Sequence, residues 1–250
     1  MSFTRNHRYP SVKKRYAMWA VLFSVGTLAM PATVLASNET ESFTTDSERY
    51  FKSEDIFNLE YVSEVQVSPN GKYVAYVRRS NDIMSDSSRA NVWLASVDGK
   101  SHRPLLSSKK SYYSIRWSPD GSRLAYLSNE EGKPQLYVRW MDTGQTALVT
   151  NVTSNPSNIT WSPDGKHIAY ARRDDEKVMY KNSYLYVMKS DGTDAQNLTK
   201  DIDNSVSNFH WKDNKHVYFQ QSVRGLAQVD VVSLSGRVKA VANGLGGTTL

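Results

Sequence analysis

Trp117–Tyr126 reads WSPDGSRLAY, and the chain says it again: WSPDGKHIAY spans Trp161–Tyr170 and VSPNGKYVAY spans Val67–Tyr76. A shortened form, WKDNKHVYF, spans Trp211–Phe219, with the Ser-Pro pair gone and one position deleted. In Ser118-Pro119-Asp120-Gly121 the serine suits the first position of a type I turn and proline presets φ at the second. Aspartate tolerates the third position, and glycine closes the turn without a Cβ clash. The return strand, Arg123 to Ser128, puts Leu124, Tyr126 and Ser128 on one face and Arg123, Ala125 and Leu127 on the other. Apolar side chains on both faces suit a strand sandwiched between neighbouring sheets.

The spacing decides the fold. Ser68 to Ser118 is 50 residues, Ser118 to Ser162 is 44, and Ser162 to Lys212 is 50. A period of roughly 40 to 50 residues built only from strands is the sign of a β-propeller, one four-stranded blade per repeat. The expected fold is therefore all-β: a partial β-propeller with about four four-stranded blades visible.

The composition fits a globular body. Of 250 residues, 39% are hydrophobic and 11% aromatic, enough for one sizeable core, and there is no cysteine. The formal net charge of +6 invites a nucleic-acid partner, but Arg5, Arg8, Lys13, Lys14 and Arg15 all lie in residues 1–36, where no acid occurs. Without those five basic residues the charge falls from +6 to +1, and a nearly neutral body has no footprint for phosphate backbones.

Residues 1–36 have the three parts of a secretory signal peptide: a basic segment to Arg15, an apolar run from Ala17 to Met30, and small side chains near Ala36. Cleavage is expected between Ala36 and Ser37, which sends the protein to the periplasm or the cell exterior. An uncleaved anchor is the alternative, but the run of 14 residues is short for a bilayer span. No stable membrane span is expected after cleavage. Residues 37–52 form a polar arm, and residues 53–250 form the N-terminal part of the propeller.

Within that part, Ser53-Glu54-Asp55 before Ile56, Phe57 and Leu59 looks like an N-capped short helix. In each blade the turns joining strands one to two and three to four lie at one end of the sheets and are short. The connections from strand two to three, and from blade to blade, lie at the opposite end and vary in length. Blade one inserts Ser80 to Ala90 there, and blade three inserts Arg173 to Asn182. Function on a scaffold sits preferentially in variable loops, so this end is the expected working face. Asp174, Asp175 and Glu176 lie in the blade-three loop and are the acidic cluster with a binding role to test. Solvated acids are the commoner outcome for such a cluster.

Catalytic signatures are missing. No Gly-x-Ser-x-Gly elbow occurs, so no catalytic residue is assigned. The five histidines, His7, His102, His167, His210 and His216, lack metal-ligand spacing, and no metal or cofactor is expected. His167 and His216 share a repeat position and read as surface strand residues. Arg78-Arg79 and Arg172-Arg173 mark strand exits at the rim. Four blades ending in Gly244-Leu245-Gly246-Gly247 suggest an incomplete ring, hence a fragment of a longer chain.

SEDIFNLEYVSEVQVSPNGKYVAYVRR, Ser53 to Arg79, resembles the opening of the propeller in prolyl oligopeptidase-family serine peptidases. It is most similar to the acylaminoacyl-peptidase and dipeptidyl-peptidase-like branch. The resemblance implies a propeller that gates a C-terminal α/β-hydrolase domain with a Ser-Asp-His triad, acting on peptides. That domain would lie beyond Leu250 as a partner in cis, leaving this portion inactive by itself. No triad position carries over. The propeller acids that hold a substrate's free amine in the dipeptidyl-peptidase branch have no secure match, Asp174-Asp175-Glu176 being the nearest. The later WSPDG repeats also resemble periplasmic TolB-type propellers, which implies the alternative of a non-enzymatic module that binds a protein partner. Those chains, however, place an α/β domain before the first blade, and here only some 25 residues separate Ala36 from Tyr61.

Overall fold

The computed structural model describes residues 50–173 and 181–246, and within them the fold is four four-stranded antiparallel sheets. Blade one holds β1 (Glu60–Val67), β2 (Tyr73–Asp82), β3 (Ser87–Ser96) and β4 (His102–Leu106). Blade two holds β5 (Tyr112–Trp117), β6 (Arg123–Ser128), β7 (Gln135–Trp140) and β8 (Thr146–Leu148). Blade three holds β9 (Ser157–Trp161), β10 (His167–Arg173), β11 (Ser183–Lys189) and β12 (Gln196–Asn197). Blade four holds β13 (Ser207–Asp213), β14 (His216–Val223), β15 (Leu226–Ser233) and β16 (Val238–Leu245). In every blade the strands pair in chain order, each with the next.

The repeated turn is built as its residues dictate. Ser118 O accepts from Gly121 N at 2.8 Å, and Ser118 Oγ donates to Asp120 Oδ1 at 2.5 Å while accepting from Arg123 N at 2.9 Å. The same frame recurs around Ser68, Asn70 and Tyr73, and around Ser162, Asp164 and His167. Each serine is a buried turn residue with its hydroxyl satisfied twice, and each glycine lies at positive φ, 67° to 70°.

The two-faced return strand packs as its sequence implies. Leu124 and Tyr126 enter a core shared with Ala75, Val77 and Val92 of blade one. Ala125 and Leu127 enter another, shared with Ile159, Ile168 and Tyr170 of blade three. A third core joins Ala169, Ala171 and Leu185 of blade three to Val206, Val217 and Phe219 of blade four. The cores therefore lie between sheets, and each buried Leu or Ile contributes about 1.5–3 kcal/mol. Paired tyrosines on adjacent strands stack within these layers, Tyr126 on Tyr137 at 5.5 Å and Tyr170 on Tyr186 at 5.6 Å between ring centroids.

Two expectations are corrected. Ser80 to Ala90 is not an inserted loop: β2 and β3 stay paired out to Asp82↔Ser87, leaving only the turn 83–86. Polar side chains disguised this extension, which the backbone ladder sustains, with an Arg89–Asp82 ion pair beside it. The short helix is a 3-10 helix, Ser53–Asn58, and Ser53 does not cap it. Instead Asp55 Oδ2 accepts from the backbone of Lys52 at 3.0 Å. It rests on blade one, where Asn81 Nδ2 donates to Ile56 O at 2.8 Å.

Candidate functional site

Each first strand (β1, β5, β9 and β13) is the edge of its sheet, and each carries the same irregularity. Glu64, Ser114, Asn158 and Asn208 all adopt left-handed backbone, φ 43° to 52°, three positions before Val67, Trp117, Trp161 and Trp211. The pairing register shifts at the same place in every blade, so each is a β-bulge. Non-glycine residues in this region store strain, and bulges in edge strands stop a further strand from adding. The first strands of blades two, three and four lie side by side around a groove of about 250 Å3, lined by Arg116, Asn158, Thr160, Asn208 and His210 with Ile159 and Phe209 beneath. This wall of amide, hydroxyl, imidazole and guanidinium groups can hydrogen-bond an extended chain without gripping it as a new strand.

The bulges also set the repeat's tie between blades. In blades two, three and four the first strand carries, three positions past its bulge, a tryptophan whose indole N–H donates to a backbone carbonyl of the preceding first strand. Trp117 Nε1 reaches Gln66 O at 3.3 Å, Trp161 Nε1 reaches Arg116 O at 3.0 Å, and Trp211 Nε1 reaches Thr160 O at 3.4 Å. Edge carbonyls that would otherwise lack a ladder partner are thereby satisfied.

At the end where the sheets meet the variable loops, Glu64 sits in the bulge of blade one. Its Oε1 is 3.7 Å from Arg79 Nη2, and its buried Oε2 has no hydrogen-bond partner among the described residues. Arg79 also donates to Ser63 Oγ at 3.2 Å. Burial raises the Tyr113 hydroxyl above its ordinary value, and the Glu64 charge adds to that while Arg79 opposes it. Nearby, Tyr112 donates to Glu130 Oε1 at 2.5 Å and is likewise raised, by burial first and then by that carboxylate. Sequence reasoning missed this column because Glu, Ser, Asn and Asn share no chemistry. The usable signal was its fixed place three positions before the residue that opens each repeat, Val67, Trp117, Trp161 or Trp211.

The residues singled out in the sequence fare differently. Asp174, Asp175 and Glu176, and the cleavage pair Ala36 and Ser37, lie outside the described residues. His167 is not a simple surface residue: it is half-buried at a blade junction, its ring 6.3 Å from that of Trp211. His216 is half-buried as well, with Nδ1 3.0 Å from the Asp213 carboxylate. His102 stacks between Tyr76 and Trp93 and shares a 2.6 Å hydrogen bond with the Tyr76 hydroxyl. The paired arginines are anchored: Arg78 lies over Trp93 at 5.0 Å and pairs with Glu60, and Arg172 lies over Tyr186 at 4.4 Å. Among the described residues no serine hydroxyl is seen bonded to a histidine ring nitrogen, the Ser162 hydroxyl meeting only the backbone N–H of His167, and no group of three His, Asp or Glu is placed to hold a metal ion. No helix among them is long and apolar enough to cross a membrane.

Residues 71–246 match the family described as the TolB beta propeller domain. The chain belongs to that family. Curated relatives of this TolB-type propeller divide into two kinds. The uncharacterized peptidase YuxL of Bacillus subtilis is 31% identical over 101 residues, 40% of this chain and 15% of that protein. Dipeptidyl-peptidase 5 of Porphyromonas gingivalis is 29% identical over 108 residues, 43% of this chain and 16% of that protein. The Tol-Pal system protein TolB of Polaromonas is 36% identical over 84 residues, 34% of this chain and 18% of that protein. The matches thus span less than a fifth of each of these relatives. Among solved structures, the acylaminoacyl peptidase of Pyrococcus horikoshii superposes with a TM-score of 0.62 at 14% identity, over 77% of this chain and 34% of that one. A puromycin-hydrolyzing peptidase of Mycobacterium tuberculosis gives 0.57 at 18% identity, over 74% and 29%. The resemblance drawn from Ser53–Arg79 is borne out: the TolB-type propeller has relatives named peptidases and the fold of peptidase propellers.

Proposed function

We propose that this TolB-type propeller is the substrate-gating portion of an exported serine peptidase, with bond cleavage supplied by a hydrolase domain in cis. The observation that carries the proposal is the pairing of relatives named peptidases with a fold shared with the acylaminoacyl peptidase propeller. The groove along β5, β9 and β13 supports it, being polar and bulged, suited to pass an extended peptide and unsuited to bind one as an added strand. Asp174, Asp175 and Glu176, on the long connection between β10 and β11, are the acids proposed to meet a peptide's free amine.

The experiment is direct. The 250-residue chain should hydrolyse no peptide arylamide and take no label from a serine-reactive fluorophosphonate, whereas the reading frame after Leu250 should run on to a Gly-x-Ser-x-Gly turn. Labelling of the chain, or a stop codon before any such turn, overturns the proposal. The second reading, a non-enzymatic propeller that binds a protein partner, draws on the TolB relatives. It predicts that stop codon.

A further inference from the structure

The junction between blades recurs, so one copy can be read against the next. Between blades two and three, Arg123 opens the return strand and lays its guanidinium over Trp161, 4.8 Å from the ring centroid. It donates to Gly165 O at 2.9 Å and to Ser190 Oγ at 3.0 Å, and Trp140, paired with Arg123 on β7, packs against the core beside it. A guanidinium between an indole face and a backbone carbonyl is a good use of that ion, planar and weakly hydrated.

Between blades one and two the same frame is present without its occupant. Trp117 and Gly121 stand where Trp161 and Gly165 stand in the next blade, and Met141 stands for Ser190. Tyr73 replaces Arg123, and its register partner Ser96 replaces Trp140. Two exchanges, guanidinium for phenol and indole for hydroxymethyl, leave a cleft of about 370 Å3 lined by Tyr73, Ser96, Asp98, Trp117, Gly121 and Met141. Asp98 stands at its mouth, paired with Lys100 at 3.4 Å, and the exposed Arg103 also borders it. The Lys100 side chain is 85% exposed, so water screens much of its charge from the floor of the cleft.

We propose that this cleft is a binding site for a guanidinium group brought by an external ligand, an arginine side chain of a peptide or protein. The guanidinium lies on Trp117 and donates to Gly121 O, the side chain's methylenes run along Tyr73 and Met141, and Asp98 faces the charge. The site opens at the end of the sheets that carries the short turns, away from the loop face. It therefore stands or falls independently of any peptidase activity.

The probe is N-acetyl-arginine methylamide, titrated into the 15N-labelled 250-residue chain while the tryptophan indole cross-peaks are followed, the Trp117 peak being assigned with Trp117→Phe. The Trp117 peak should shift saturably, and the uncharged isostere N-acetyl-citrulline methylamide should bind about tenfold more weakly. Tyr73→Arg supplies the missing guanidinium from within and should abolish binding. Ser96→Trp refills the cleft as Trp140 does and should do the same, which keeps the test decisive if one variant folds poorly. A Trp117 peak that stays in place, equal binding of the citrulline compound, or undiminished binding by either folded variant overturns the proposal.

Discussion

At the residue scale, the turn aspartates carry a pH signature. Burial pushes the Asp120 carboxyl upward, but hydrogen bonds from Ser118 and Ser122 and the charge of Arg123 outweigh it and bring it from the ordinary 3.8 down to about 2. Asp164, in the same repeat position, is lowered as well, chiefly by the Ser162 hydroxyl. A folded value below the unfolded one means the ionised form stabilises the fold. That contribution is complete well above 3.8 and is lost as pH falls from there through about 2. Blade one shows what a neutral residue does there: Asn70 Oδ1 accepts from Ser68 Oγ at 2.8 Å and Lys72 N at 3.0 Å, with no titration. Asp120→Asn should therefore keep the turn and flatten the acid limb of the stability curve. The difference between pH 6 and pH 2.5 is on the order of 1 kcal/mol after allowing for solvent screening at an exposed turn. Thermal melts at the two pH values read it directly.

Trp161 makes a second residue-scale case. Trp161→Phe keeps an aromatic ring under Arg123 but removes the indole N–H that Arg116 O accepts at 3.0 Å. The expected loss is about 1–2 kcal/mol, combining an unpaired edge carbonyl with a weaker cation–π face. Urea unfolding measures it, and a loss confined to a few tenths would show that the indole tie is dispensable.

At the scale of single elements, the return strand β6 spends both faces on packing. Leu127 is 1% exposed in the core between blades two and three, so Leu127→Ala should cost about 2–5 kcal/mol in chemical unfolding. The turns divide by what they touch. Gly192, at φ +89°, turns at the end of β11, and a Cβ there would lie 2.7 Å from Val149 O of blade two. Gly132, at φ +86°, faces open space. Gly132→Ala should cost about 1–2 kcal/mol for its backbone alone, and Gly192→Ala at least twice that because a neighbouring blade must move.

These elements also show what was legible in the sequence. β5, β6 and β9 fall where the WSPDG spacing puts them, because a turn with one stereochemical solution pins the strands on either side. The outward run of β2 and β3 to Asp82 and Ser87 was opaque, since Asn, Asp and Ser disguise a strand held by its ladder. The bulge column was opaque for a different reason: left-handed backbone at Glu64 and Ser114 is imposed by register, not by those residues' own preference. The cleft beside Trp117 was written in the sequence as Tyr73 and Ser96, but only comparison with the Arg123 junction reveals what is absent from it.

At the scale of the whole described unit, two sheet faces meet no other sheet among the described residues. On blade one, Val67 and Val62 are 60% and 55% exposed, on the side away from blade two. On blade four, Tyr218 and Val231 pair in register on the side away from Val217 and Val232, which are buried against blade three. The tie between blades gives these faces a direction. Gln66 O, Arg116 O and Thr160 O each accept an indole, and the next carbonyl in the series is that of His210. A second copy meeting blade four with its blade one would offer Val67 where an indole is wanted. It would bury apolar surface yet leave the tie unmade, a shortfall of about 1 kcal/mol. Residues 37–250 should therefore associate weakly and reversibly rather than as a tight, closed oligomer. Sedimentation velocity should show concentration-dependent species, reduced by Val67→Lys on one face or Val231→Lys on the other. A sharp, reversible, monomeric unfolding transition, unaffected by either lysine, would mean that the two faces are already satisfied within one chain.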